Sequence, residues 1–169
     1  MGRFLELKKN ENWEFVSRLG CDGAVVILCY DIEKNLYLTV EQFRPSVNKR
    51  IIEFPAGLIE TGEDPKDCAV RELMEETGIR INKEKLIDLG YVYSSVGLSD
   101  EKVYLFAVIL DSTTDYLAPK LSIQEKGNNL VIKYMLEEDI YNLFAAKVLT
   151  TLCRFKLKMK DNNIIFPID

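Results

Sequence analysis

At 169 residues, 47% of them hydrophobic, the chain has the size of one ordinary globular domain with a substantial core. Histidine is absent, and the four cysteines, Cys21, Cys29, Cys68 and Cys153, form no C-x-x-C pair. That excludes Ser-His and Cys-His nucleophiles, imidazole ligation and a zinc framework, and leaves reduced, structural cysteines and carboxylate chemistry. A net charge of −5 with no basic patch interleaved with aromatics, only Lys156, Lys158 and Lys160 near the end, argues against nucleic-acid partners.

In chain order, Phe4 to Leu7 and Trp13 to Val16 read as a short β extension within residues 1–19, followed by the continuous apolar run Ala24 to Tyr30, a strand buried on both faces. Leu36 to Phe43 alternates Leu36, Leu38 and Val40 with Tyr37, Thr39 and Glu41, as a strand with one buried face does, and Asp31 to Asn35 turns between the two strands. Pro45 breaks the pattern, and Arg50 to Phe54 resumes it. A helix follows, with Asp64 as N-cap, Pro65 in the first turn and Gly78 at its end. Two further strands, Lys85 to Tyr93 and Lys102 to Leu110, flank the loop 94–101, and a polar stretch from Asp111 to Asn129 precedes a last strand around Leu130 to Met135. From Leu136 to Met159 the apolar positions Ile140, Leu143, Phe144, Val148, Leu149 and Leu152 take helical spacing. The expected fold class is α/β (α+β): one α/β/α sandwich over residues 1–169, a mixed sheet with helices on both faces. No run approaches the roughly 20 apolar residues that span a bilayer, and the start is charged throughout, so a cytoplasmic protein without membrane partners is expected.

The chemistry concentrates between Gly57 and Ile79. On an ideal helix Glu72 and Glu76 lie one turn apart with Glu75 on the adjoining flank, so three carboxylates fall within a sector of roughly 100°. Ala69, Val70 and Leu73 would pin the neighbouring sector to the sheet and leave the carboxylate edge exposed. Such clustering destabilises an isolated helix by a few tenths of a kcal/mol or so per pair, with Arg71 the only local compensation. A divalent cation would relieve it. Hard oxygen ligands suit Mg²⁺ or Mn²⁺, which bind diphosphate oxygens readily, so the segment asks for a phosphate substrate.

The spacing Gly57, five residues, Glu63, seven residues, Arg71-Glu72, apolar, any, Glu75-Glu76, any, Gly78, apolar resembles the signature of the Nudix hydrolase family without a departure. The resemblance implies that Glu72 and Glu76 are the principal metal ligands, with Glu75 sharing a second metal and the Ala56 carbonyl contributing from the loop. It implies too that Glu63 and Arg71 pair to hold loop to helix, a structural role alongside Gly57. The flanking Glu41-Gln42-Phe43-Arg44-Pro45, Arg50-Ile-Ile-Glu53-Phe54-Pro55-Ala56-Gly57 and Gly97-Leu98-Ser99-Asp100-Glu101 resemble the ADP-ribose and nucleoside-diphosphate-sugar branch. In that branch a loop glutamate outside the signature acts as base; Glu125 matches it here, with Glu101 as the second candidate and Glu75 also placed in the catalytic group. Arg44 and Glu53 are expected to bind substrate, Arg44 through its guanidinium to a phosphate. Trp13 and Phe15 stack an adenine or serve as core or dimer-interface residues, in a homodimer. Where the branch usually carries a proline before Gly97, this chain has Val96, which leaves another nucleotide sugar or a dinucleotide open as substrate. A nucleotide-sensing domain without turnover is the reading from a different class.

Overall fold

The computed structural model describes residues 4–161; the start at Met1–Arg3 and the residues after Asp161 lie outside the described part. The strands, in order, are β1 (Leu5–Asn10), β2 (Trp13–Arg18), β3 (Cys21–Asp31), β4 (Leu36–Arg44), β5 (Lys49–Glu53), β6 (Ala56–Glu60), β7 (Ile79–Arg80), β8 (Ile87–Tyr93), β9 (Lys102–Leu110), β10 (Asp115–Tyr116) and β11 (Val131–Met135). The helices are α1 (Pro65–Thr77), α2 (Ile123–Gly127), α3 (Glu137–Ile140) and α4 (Ala146–Asp161). The central mixed sheet runs β11-β4-β3-β9-β8, with β5 added to β4 and β6 to β3. β3 and β9 pair in parallel over Ala24–Asp31, and the other pairings in this sheet are antiparallel.

β3 divides the interior in two, because alternate side chains of a strand leave opposite faces of the sheet. Ala24, Val26, Leu28 and Tyr30 pack with Val148, Leu152, Phe155 and Met159 of α4. Val25, Ile27 and Cys29 pack with Cys68, Ala69 and Leu73 of α1. The apolar run thus fills both layers of a sandwich that has α1 on one face and α4 on the other, as expected.

β4 departs from the one-sided pattern. Tyr37, Leu38, Thr39 and Val40 are all buried, because β4 lies inside the sheet between β3 and β11 and is covered on both faces. Its polar atoms are matched: Tyr37 donates to Glu137 at 2.9 Å and Thr39 to the Lys133 carbonyl at 3.3 Å, so the buried hydroxyls keep partners. The polar stretch 111–129 also contains structure, β10 against β7 and the short α2. The cysteines divide: Cys29 and Cys68 are buried, Cys21 is half-buried and Cys153 is exposed on α4, so Cys153 is not a core residue.

β1 and β2 form a separate hairpin. It joins the loop before β9 through the Val16 N–H to the Leu98 carbonyl at 2.8 Å, the Ser17 hydroxyl to Asp100, and Arg18 to Glu101. That docking brings Arg18 to a cavity that residues of α1 also line.

Candidate active site

The loop and helix between Gly57 and Ile79 are set by local chemistry. Asp64 caps α1 by accepting from the Lys66 and Asp67 amides, and Pro65 opens the helix where its missing N–H costs nothing. Gly78 closes it at φ 76° with its N–H on the Met74 carbonyl. A side chain at 78 would also collide with the Leu117 carbonyl, 1.9 Å from its Cβ position. The segment 115–120 lies that close because it satisfies the carbonyl of the cap and one orphan carbonyl of the helix end: Leu117 N–H bonds Gly78 at 2.7 Å and Lys120 N–H bonds Glu75 at 2.8 Å.

Arg71 ties the loop to the helix. Its Nε and Nη2 grip both oxygens of Glu63 at 2.9 Å, Nη2 also reaches the Leu58 carbonyl at 3.0 Å, and Nη1 bonds Glu72 at 2.7 Å and approaches Glu75 at 3.5 Å. The two-pronged pair holds Glu63 well below the ordinary carboxylate range, at about 2. Glu63 and Arg71, the pair that the resemblance implied, are thereby brought together.

The carboxylate edge is not exposed as the helical wheel implied. Glu72 is 7% and Glu76 2% exposed, while the Glu75 side chain is 37% exposed. The reason is β6, which presses against this flank of α1. Gly57 gives the room: a Cβ there would sit 1.8 Å from Glu72 Cδ. Glu76 accepts the Ala56 N–H at 3.0 Å, so Ala56 meets the carboxylates through its amide and not through the carbonyl expected as a ligand. Burial pushes both carboxyls up. For Glu72, Arg71 opposes the rise and the charges of Glu75 and Glu125 add to it. For Glu76 the rise is large, the Ala56 amide and Arg44 oppose it, and Glu125 and Glu72 add to it.

These groups line one open cavity of about 680 Å³, in the range of small-ligand sites. Arg44 of β4 and Glu53 of β5 stand in its wall, paired at 2.7 Å. Glu125 of α2 is in it too. Its carboxylate accepts the Ser122 N–H at 2.6 Å while Ser122 Oγ accepts the Glu125 N–H at 3.2 Å, a capping box that orients the side chain. The segment 122–129 is held by Asn128, whose carbonyl takes the Phe43 N–H at 3.0 Å, and by Arg50 on the Asn129 carbonyl at 3.0 Å. Glu101 lines the opposite side, bonded to Arg18. Burial pushes its carboxyl up, but the Arg18 hydrogen bond and the charges of Lys147 and Arg18 bring it below the usual value.

Trp13 stands apart. It is 61% exposed on β2 and lines a smaller hollow of about 300 Å³ with Phe15, Tyr93 and Val96, so it is neither core nor part of the main cavity of this chain. Residues that the motif did not point to, Arg18, Gln42, Asn128, Phe144 and Lys147, do line that cavity.

The donor set fits a hard divalent cation in its chemistry. Glu72, Glu75, Glu76 and Glu125 line the same cavity and offer oxygen donors, and the rise in Glu72 and Glu76 comes first from burial and then from the neighbouring carboxylates. In this conformation, among the described residues, no three His, Cys, Asp or Glu side chains are gathered closely enough to hold an ion, and Arg71 bonds one oxygen of Glu72.

Comparison with known proteins gives the same answer for the fold and its signature. The chain is 38% identical over 108 residues to an ADP-ribose pyrophosphatase of Bacillus subtilis, covering 64% of this chain and 51% of that protein. It is 41% identical over 85 residues to a methanol dehydrogenase activator of Bacillus methanolicus, 50% and 44% of the two chains. With an ADP-sugar pyrophosphatase of Mus musculus it shares 39% over 79 residues, 43% and 36%. The matched part thus spans about half or less of these relatives. The NUDIX domain matches residues 22–149, from the start of β3 into α4, and the chain belongs to the Nudix family.

Proposed function

We propose that the protein hydrolyses the diphosphate linkage of a nucleoside diphosphate joined to a second moiety, ADP-ribose or a related nucleotide sugar, releasing a nucleoside monophosphate and a sugar phosphate. The observation that carries this is that buried Glu72 and Glu76 line one cavity with Glu75, Glu125 and Arg44. Resemblance to pyrophosphatases of ADP-ribose and ADP-sugars supports the substrate class. Val96, where that branch carries proline, keeps other nucleotide sugars and dinucleotides within the test.

Glu72, Glu75 and Glu76, with the Ala56 carbonyl, would hold Mg²⁺ or Mn²⁺. Bound there, a divalent ion supplies charge neutralisation on the phosphate oxygens and a lowered pKa for the attacking water. Arg44 binds a non-bridging phosphate oxygen, with Glu53 fixing the guanidinium plane. Arg71 and Glu63 hold the loop against α1, so the Glu72 carboxyl keeps its place. Glu125 accepts the proton of the water that attacks one phosphorus of the P–O–P bridge. Glu101 serves that step less well, because its bond to Arg18 lowers its affinity for a proton.

The same proposal includes a cytoplasmic homodimer without nucleic-acid or membrane partners. The hairpin exposes Trp13 on one face and Leu7 on the other, and this apolar surface supports pairing with a second copy. Among the described residues no helix is long and apolar enough to cross a membrane. The decisive experiment is a screen of nucleoside diphosphate derivatives with Mg²⁺ and Mn²⁺, with products identified by chromatography. AMP and ribose 5-phosphate from ADP-ribose are expected; no turnover of any compound would overturn the proposal. Sedimentation of the same protein should give twice the chain mass, and a monomer at micromolar concentration would remove the dimer.

A further inference from the structure

Phe144, in the turn between α3 and α4, is 95% exposed, the most exposed large apolar side chain among the described residues. It is presented, not loose: its neighbours Leu143 and Ala145 pack against the core under α4. The Leu143 N–H bonds the Ile140 carbonyl at 3.1 Å, and the Val148 N–H bonds that of Ala145 at 2.9 Å. The ring stands at the rim of the carboxylate cavity, where it is the one aromatic residue among the described lining residues. Lys147 lines the same cavity from the first turn of α4, and its charge bears on Glu101.

The cavity therefore has two chemically different parts. One part gathers charge, with Glu72, Glu75, Glu76 and Arg44 suited to a diphosphate and its counter-ions. A nucleoside attached to that diphosphate carries a flat, largely apolar base, which gains by stacking on a ring and finds no other ring among the described residues that line the cavity. Trp13 opens on a separate hollow.

We infer that Phe144 is the platform on which the base of a nucleotide substrate stacks, with Lys147 beside it as a cation for the adjoining phosphate. The inference rests on the cavity being the diphosphate-splitting site, and it is tested by binding, independently of turnover. Titrating ADP and, separately, inorganic diphosphate into the Mg²⁺-loaded protein compares native, Phe144→Ala and Phe144→Trp. Stacking predicts that Phe144→Ala weakens ADP binding by roughly 5- to 150-fold and leaves inorganic diphosphate within about twofold, while Phe144→Trp keeps ADP affinity. The same pattern in a protein that hydrolyses nothing would uphold the platform and sink only the proposed hydrolysis. Equal ADP affinity in native and Phe144→Ala, no ADP binding to the native protein, or an equal loss for inorganic diphosphate would each overturn the inference. So would dissociation of a native dimer by Phe144→Ala in sedimentation, since the ring would then belong to an interface.

Discussion

Gly57→Ala should disable the site while leaving the fold standing. The added Cβ would fall 1.8 Å from Glu72 Cδ and 2.1 and 2.3 Å from its two oxygens. That is about 1.7 Å short of an ordinary carbon–carbon contact, so the carboxyl has to move by more than 1 Å or so. Glu72 ends a flexible side chain, so the helix itself need not shift, and alanine in a strand recovers roughly 0.5–1 kcal/mol of backbone entropy relative to glycine. The melting temperature should therefore stay within a few degrees of native. The displaced carboxyl loses its 2.7 Å bond to Arg71 and its place beside Glu76. A misplacement of about 1 Å at a reacting centre costs about 100-fold in rate, and that is the loss expected here. The assay is product release from the best nucleoside diphosphate derivative, with circular dichroism melting on the same samples. Activity within about twofold of native would refute the claim that Glu72 acts from the position Gly57 leaves open.

Glu125→Gln should lower turnover by about 10²- to 10⁴-fold with KM nearly unchanged, because glutamine can still accept the Ser122 N–H and only the proton acceptor is lost. If that variant stays within about twofold of native, Glu101 becomes the base. For Glu63, the folded carboxyl titrates near 2 against about 4.5 unfolded, so its contribution to stability is complete above pH 5 and is lost as pH falls toward 2. With the Glu63 side chain 17% and Arg71 29% exposed, screening reduces this to about 1–3 kcal/mol. Glu63→Gln should accordingly melt earlier than native at pH 7 and lose less stability than native between pH 5 and pH 2.5; parallel curves would contradict the pairing.

Much of this layout is written in local residue order. Asp64, Pro65 and Gly78 mark α1 because capping acts within one turn, and Ala24 to Tyr30 reads as an interior strand because both its faces are apolar. β4 was harder, since Tyr37 and Thr39 look solvent-facing until Glu137 and the Lys133 carbonyl, about a hundred residues on, satisfy them. β6 hid inside the signature, where Gly57 lowers any strand propensity, and its packing is what buries Glu72 and Glu76. Ser122 and Glu125 do carry a visible capping box that marks α2. Arg18, Lys147 and Phe144 carry no such mark. They reach the cavity only because the hairpin docks on the loop before β9 and α4 packs across β3, and no short-range pattern encodes either contact.

The central claim is that buried carboxylates on α1 make a diphosphate hydrolase. The most direct measurement is Mg²⁺- and Mn²⁺-dependent release of AMP from ADP-ribose by native protein and by Glu76→Gln, after removal of metal with a chelator and its restoration. The native protein should be inactive without metal and recover on its return, and Glu76→Gln should fold normally but lose at least about 100-fold in rate at either metal. Full activity in the chelated protein, or undiminished turnover in Glu76→Gln, would contradict the account.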